Sequence, residues 1–375
     1  MILLIMPGIY PGLADVVILR DSLGSAATVL LNFFGGAAMK RVLKILIPAV
    51  LCLFLLFLGT VFWMGEVLQP VRKDYGALWH QYVTEPKNSV DLLVLGASYA
   101  YCGVVPAEIY RESGVTSYVM AGPRVTASLA YYDLCEALKT QQPKVILLEA
   151  SSFFYKQYED YTRTNIGYMP WGSNRLAATF RAAEPEERFG LLFPLVNYAD
   201  RRENYTFSDY FAPRGDAVTD PLAGYTFLDT AQTQTGPVPF RDNPGSDQLK
   251  ENLGWLDKIV KRCDREGIPL VLFFAPRSCA PGKVQLSQLS GHLGTARLVN
   301  FCEDAQPMGL DPETDYYDVN HLNCLGAEKF SRYLAAWLRE ECSLAPTEGE
   351  DEALWEGRVV YWDELLHNGN LKMEN

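Results

Sequence analysis

The stretch Asp91–Cys102, DLLVLGASYAYC, is an apolar run that stops abruptly at Gly96, Ala97 and Ser98. Parallel strands covered on both faces read as near-continuous hydrophobic runs, and Leu92–Leu95 is such a run, closed by a glycine that permits a sharp turn. A serine at that turn stands at the carboxyl edge of a sheet, beyond which open α/β folds bind their ligands. Ser98 is therefore a candidate nucleophile. The competing reading makes it the N-cap of the next helix, a position that favours serine, and the strand-Gly-x-Ser pattern alone favours the cap. A base elsewhere in the chain has to decide.

Outward from this stretch, strand and helix patterns alternate, which predicts a mostly parallel sheet with helices on both faces. After the strand at Asp91–Gly96 comes a short helix over Pro106–Ser113, a second strand over Thr116–Ala121 ending at Gly122, a helix over Thr126–Gln141 and a third strand over Lys144–Leu148. Leu249–Glu266 is the clearest amphipathic helix, stopped by Gly267; Pro269–Ala275 (PLVLFFA) is a strand, and Ala327–Glu341 closes the domain as a helix. Between the third strand and the Leu249 helix, residues 153–247 show no clear periodicity and are rich in aromatics, among them Tyr155, Tyr158, Tyr161, Tyr168, Trp171, Tyr198, Tyr205, Tyr210, Phe211 and Tyr225. A loop this long is functional or folds on its own. Its rings either stack on sugars or form its own small core; the expectation is that it overhangs the Ser98 crevice and binds glycan. The tail after Ser343 opens acidic, reads as mobile there, and ends in GRVVYWDELL, which has strand character and no assigned place.

Composition bounds the function classes. The 375 residues are 49% hydrophobic and 21% charged, ordinary globular material, with a net charge of -12 that argues against a nucleic-acid partner. The eight cysteines show neither CxxC pairs nor Cys/His clusters at zinc spacing, so no metal site is expected, and their irregular spacing gives little support for disulfides. Ile45–Met64, ILIPAVLCLFLLFLGTVFWM, is an uncharged apolar run of bilayer length. Lys40, Arg41 and Lys44 precede it, so the positive-inside rule predicts a single-pass anchor over residues 40–65 with its N-terminus in the cytoplasm and the rest of the chain outside. Pro48 is expected in the first turns of that helix. Residues 66–90 read as a polar connector. Residues 1–38 are apolar but broken by Pro7, Pro11, Gly35 and Gly36, and Met39-KRVLKILIP looks like the start of a signal-anchor, so the preceding residues read as a gene-start artefact or as disordered.

The chain has four histidines, His80, His292, His321 and His367. His321 lies in YYDVNHLNCLGAEKF, three residues after Asp318 and just before the last helix of the domain. One turn thus supplies an imidazole to take a serine proton and a carboxylate to fix its tautomer. His80 and His292 lack a nearby carboxylate pattern and read as surface or packing residues.

With GAS at Gly96–Ser98, the strand-Gly at Gly122 and DVNH at Asp318–His321 on one α/β chain, residues 91–342 resemble the SGNH (GDSL-like) hydrolase superfamily. The resemblance implies a flavodoxin-like three-layer α/β sandwich with Ser98 as nucleophile, His321 as general base, Asp318 as its orienter and the backbone N–H groups of Ser98 and Gly122 as oxyanion donors. It calls for no cofactor. The family's third block ends a strand with an Asn that donates to the oxyanion, whereas here the strand runs VILLEASSFF and Glu149, Ser151 or Ser152 stands in that neighbourhood. With the anchor, this departure looks more like the SGNH branch of cell-envelope acyl transfer, which includes alginate O-acetylation proteins and the protein that assists D-alanylation of lipoteichoic acid. That branch implies a cell-envelope glycan as substrate and a multispanning membrane acyltransferase as acyl donor. Arg277, Ser151 and Trp171 are the candidates for substrate contact; a surface role for Arg277 is the alternative. A plain carbohydrate esterase and a non-catalytic envelope assembly or glycan-binding protein are the other two readings.

Overall fold

The computed structural model describes residues 37–72, 74–199, 206–210, 218–347, 352–368 and 372–373. The reading of residues 1–38 falls almost wholly outside them. The chain divides into two compact units, residues 1–63 and 64–375.

Among its described residues the first holds most of helix α1 (Ala37–Val67), whose segment Arg41–Gly65 is long and apolar enough to cross a membrane. Leu46, Leu53, Leu56 and Phe57 are all exposed, as suits a helix whose apolar surface no protein core covers. Helical structure starts ahead of the apolar run, so Pro48 lies inside the helix and not in its first turns.

In the second unit the elements run α2 (Asp74–Thr84), β1 (Leu92–Gly96), α3 (Ser98–Tyr101), α4 (Pro106–Ser113), β2 (Ser117–Ala121), α5 (Ala127–Ala137) and β3 (Val145–Glu149). The five short helices α6 (Thr162–Gly167), α7 (Ser173–Arg181), α8 (Arg188–Leu192), α9 (Pro194–Ala199) and α10 (Phe207–Tyr210) follow. The chain continues through α11 (Ser246–Glu266), β4 (Leu270–Phe274), α12 (Lys283–Ser290), β5 (Arg297–Asn300), α13 (Cys324–Glu341) and α14 (Glu352–Asn368).

These five strands form one parallel sheet in the order β2-β1-β3-β4-β5, a doubly wound order whose switch point lies between β1 and β3, and the short segments Thr230–Ala231 and Lys372–Met373 pair in parallel as a second, two-stranded sheet. Alternation of side chains along each strand divides the apolar runs between two cores. Leu93, Leu95, Tyr118, Met120, Ile146, Leu148, Leu270 and Leu272 pack on one face with α2, α5 and α11. Leu92, Val94, Val119, Ala121, Val145, Leu147, Val271 and Phe273 pack on the other with α4 and α13. Helices therefore cover both faces, and this is why β1 to β4 read as unbroken hydrophobic runs.

Three segments differ from their sequence reading. The connector contains α2, which buries Ala77, Leu78, Trp79 and Tyr82 and receives a hydrogen bond from Tyr118 Oη to the Leu78 carbonyl at 2.8 Å, so it belongs to the domain. β5 was not foreseen, because RLVN is a short edge strand with no fully buried residue. GRVVYWDELL is not a strand but the body of α14: its β-branched and aromatic residues favour strands, yet Trp355, Arg358 and Trp362 recur at helical spacing and are buried. Trp362 donates its indole N–H to Glu108 at 2.7 Å, and Arg358 pairs with the buried Glu85. All eight cysteines are unpaired.

Candidate active site

Gly96 explains how the opening stretch turns. Its φ of 140° lies where side chains are strained, and a Cβ there would sit 2.6 Å from the Cβ of Glu149. The chain leaves β1 through this glycine, and Ala97 takes the N-cap position of α3 with extended backbone and no side-chain cap. Ser98 is then the first helical residue and not the cap. Its hydroxyl lies 2.8 Å from Nε2 of His321.

The other nitrogen, Nδ1 of His321, lies 3.0 Å from each carboxylate oxygen of Asp318. Asp318 Oδ1 also accepts the backbone N–H groups of Asn320 at 2.7 Å and His321 at 2.8 Å, the Asx-type closure that lets one tetrapeptide hold both groups. Burial raises the Asp318 pKa, but the hydrogen bonds from His321 and the backbone outweigh it and hold the carboxyl below the ordinary Asp range. The turn is fixed at its far end by Asn323, whose side chain accepts Leu325 N–H and Gly326 N–H at the start of α13. A hydroxyl, an imidazole and a carboxylate thus stand in one hydrogen-bonded line, brought together from positions 223 residues apart in sequence.

The line opens into a cleft of about 370 Å³ lined by Tyr99, Tyr101, Arg124, Tyr155, Tyr161 and Tyr317 besides the three residues themselves. The region 153–247 contributes Tyr155, Tyr161, Thr226 and Leu228 to the walls. Of its other aromatics, Tyr168 and Tyr198 stack on each other and are buried, Tyr225 is buried as well, and Tyr205 and Phe211 lie outside the described residues. Arg124 and Tyr317 were not singled out from sequence. Arg124 has a φ of 47°, uncommon for a residue with a side chain. Its guanidinium pairs with Glu159 at 2.8 Å and Asp242 at 3.3 Å and lies 4.5 Å from the centre of the Tyr155 ring. Tyr317 directly precedes Asp318, a position from which a cleft wall follows once the turn is recognised.

The remaining candidates lie elsewhere. Gly122 is not a cleft residue, and its N–H donates to the Gly96 carbonyl at 3.3 Å, so that donor is engaged. Ser151 is fully buried, its N–H and hydroxyl both donating to Glu149 at 3.0 Å. Arg277 is buried too, not on the surface, paired with Glu149 at 3.3 Å and donating Nε–H to the Cys279 carbonyl at 3.1 Å. Burial raises the Glu149 pKa, and the Arg277 charge only partly counters it. Trp171 lies under the Arg175 guanidinium at 4.2 Å and does not line the cleft.

Arg277 nevertheless reaches the site through one ring. Its guanidinium lies 3.9 Å from the centre of Tyr99, and Tyr99 stacks on His321 with centroids 5.5 Å apart and planes inclined by 23°. Burial pushes the Tyr99 phenol up to about 12, so the ring stays neutral while it supports the imidazole. His292, read from sequence as lacking a carboxylate, pairs with Asp257 at 2.9 Å on the surface. Among the described residues no cluster of His, Cys, Asp and Glu is arranged to hold a metal ion. No protein-family model and no curated protein matches this chain.

Proposed function

We propose that this chain is a membrane-anchored serine acyltransferase of SGNH type whose domain lies outside the cytoplasmic membrane and moves an acyl group, acetyl above all, on a cell-envelope glycan. The observation that carries the reading is the Ser98–His321–Asp318 line in an open, tyrosine-lined cleft. The basic residues Lys40, Arg41 and Lys44 ahead of the apolar helix support the orientation.

In this reading the Ser98 hydroxyl attacks the acyl carbonyl while Nε2 of His321 takes its proton, and Asp318 stabilises the imidazolium and holds the tautomer. The Ser98 N–H, in the first turn of α3 where helical N–H groups lack intrahelical acceptors, stabilises the oxyanion. The imidazolium protonates the leaving group. A glycan hydroxyl or water then attacks the acyl-enzyme, which decides between transfer and hydrolysis. A multispanning acyltransferase fits as donor, because an acyl group made in the cytoplasm has to cross the membrane first.

Labelling of Ser98 by a fluorophosphonate tests the reading directly, since that reaction needs the activated serine and no knowledge of the glycan. Wild type is expected to label, and Ser98→Ala to lose labelling and at least about 10³-fold of its 4-nitrophenyl acetate turnover. Because Ala97 holds the cap position, the variant should stay within about 1 kcal/mol of wild-type stability. A Ser98→Ala protein that keeps its turnover defeats the proposal.

A further inference from the structure

Beside the cleft lies a second chamber, of about 420 Å³, lined by Tyr75, Ala77, Leu78, Ala121, Asp220 and Tyr225. Tyr101 and Thr226 line both cavities, and the Thr226 N–H donates to the Tyr101 carbonyl at 2.8 Å, so the two cavities are neighbours. Tyr101 ends α3, the helix that Ser98 begins. The chamber has an apolar floor of Ala77, Leu78 and Ala121 and a polar remainder. The Tyr75 and Tyr101 side chains both belong to its lining. Asp220 accepts the Gly224 N–H at 2.8 Å and the Tyr118 hydroxyl at 3.3 Å, and among the described residues the buried Tyr225 hydroxyl has no hydrogen-bond partner. Flat apolar and aromatic surface interleaved with hydroxyls and one carboxyl suits a polyhydroxylated ring, and its size is within the range of ligand pockets. The carboxyl and the chain's net charge of -12 disfavour a polyanion.

We infer that this chamber is the acceptor subsite for a neutral sugar unit, and that the substrate is an oligomeric glycan occupying both cavities at once. The inference rests on the acyltransferase reading and deepens it. In the transfer step the acceptor hydroxyl attacks the carbonyl carbon of the Ser98 ester and gives its proton to Nε2 of His321. The bond from that carbon to Ser98 Oγ then breaks as Nε2 returns the proton to Oγ, which leaves free enzyme and an acylated sugar.

The test uses the full chain in detergent, with 4-nitrophenyl acetate as donor and chitotetraose, cellotetraose and maltotetraose as acceptors. Nitrophenolate release gives total turnover, and mass spectrometry of the sugar gives transfer. Wild type should acetylate at least one tetraose with a kcat/KM about tenfold or more above that for the matching monosaccharide. Ala77→Phe, which fills the chamber from α2, should lower the ratio of transfer to hydrolysis about tenfold. Asp220→Asn, isosteric, should lower it in the same direction and serves if Ala77→Phe melts early. Equal use of tetraose and monosaccharide, no transfer to any tetraose, or an unchanged ratio in both folded variants overturns the subsite. No nitrophenolate release by wild type overturns the acyltransferase reading itself, and the subsite with it.

Discussion

Asp318 and Glu149 stand at the same edge of the sheet, each accepting backbone N–H from just after it and each paired with a nitrogen side chain, an imidazole in one case and a guanidinium in the other, and their pKa values move in opposite directions. The Asp318 side chain keeps 34% of its exposure and that of Glu149 has none. Hydrogen bonding wins in the first case and loss of water wins in the second. Tyr99 touches both partners, with His321 on one side of the comparison and Arg277 on the other. On the proposed reading the difference separates work from support: a partly exposed carboxylate beside an imidazole would serve proton transfer, whereas the buried pair makes a fixed base under the ring on which the imidazole rests.

The largest effect should come from breaking the exposed member. Asp318→Asn disturbs the His321 tautomer without removing the ring, so turnover of 4-nitrophenyl acetate should fall by about 10⁴-fold. A variant within tenfold of wild type would mean that Asp318 does not orient His321.

Breaking the buried member should act on stability instead. Arg277→Met leaves Glu149 buried and uncompensated, a cost of about 3–5 kcal/mol, and adding Glu149→Gln should return a large part of it. Urea unfolding of the single and double variants reads this directly, and strictly additive losses would show that the two residues do not act as a pair.

Tyr99 joins the two pairs, and its substitution should have a smaller effect. Tyr99→Leu removes the face on which His321 and Arg277 rest and should lower kcat by about tenfold, the scale of one aromatic contact, whereas Tyr99→Phe should stay near wild type. Equal losses in both would assign the effect to the hydroxyl and not to the ring.

The subtlest expectation is a difference of sign. Asp318 lies below its ordinary value, so the stability it lends is complete above the unfolded-state pKa and is lost as pH falls through the folded one. Glu149 lies above its ordinary value, so its contribution is complete below the unfolded-state pKa and is lost as pH rises through the folded one. Relative to wild type, Asp318→Asn should therefore become less stable as pH rises from about 3 to 7, and Glu149→Gln more stable. Slopes of the same sign in urea melts across that range would abolish the contrast.

How much of this was legible in the sequence follows from burial. β1 to β4 could be read because both faces of each strand are covered, and Asp-x-x-His could be read because one turn holds both groups. The edge strand β5 and the mixed helix α2 carry no such pattern. Arg277 reads from sequence as a substrate contact or a surface residue and is neither: whether an arginine just past a strand faces a cleft, points to solvent or folds under a tyrosine depends on Glu149, 128 residues away. Arg124 was missed for a similar reason, since its place in the cleft is set by Glu159 and Asp242.

The contact between Trp362 and Glu108 has a consequence for the order of folding. The two residues are 254 positions apart, so the side of α4 that α14 covers stays open, with a carboxylate on it, until α14 has been made and has returned to it. Loop closure over that distance is slow relative to local helix formation. A chain halted before Trp362 would hold the completed sheet and the Ser98 turn beside an open flank, which is where chaperones and proteases would be expected to engage it.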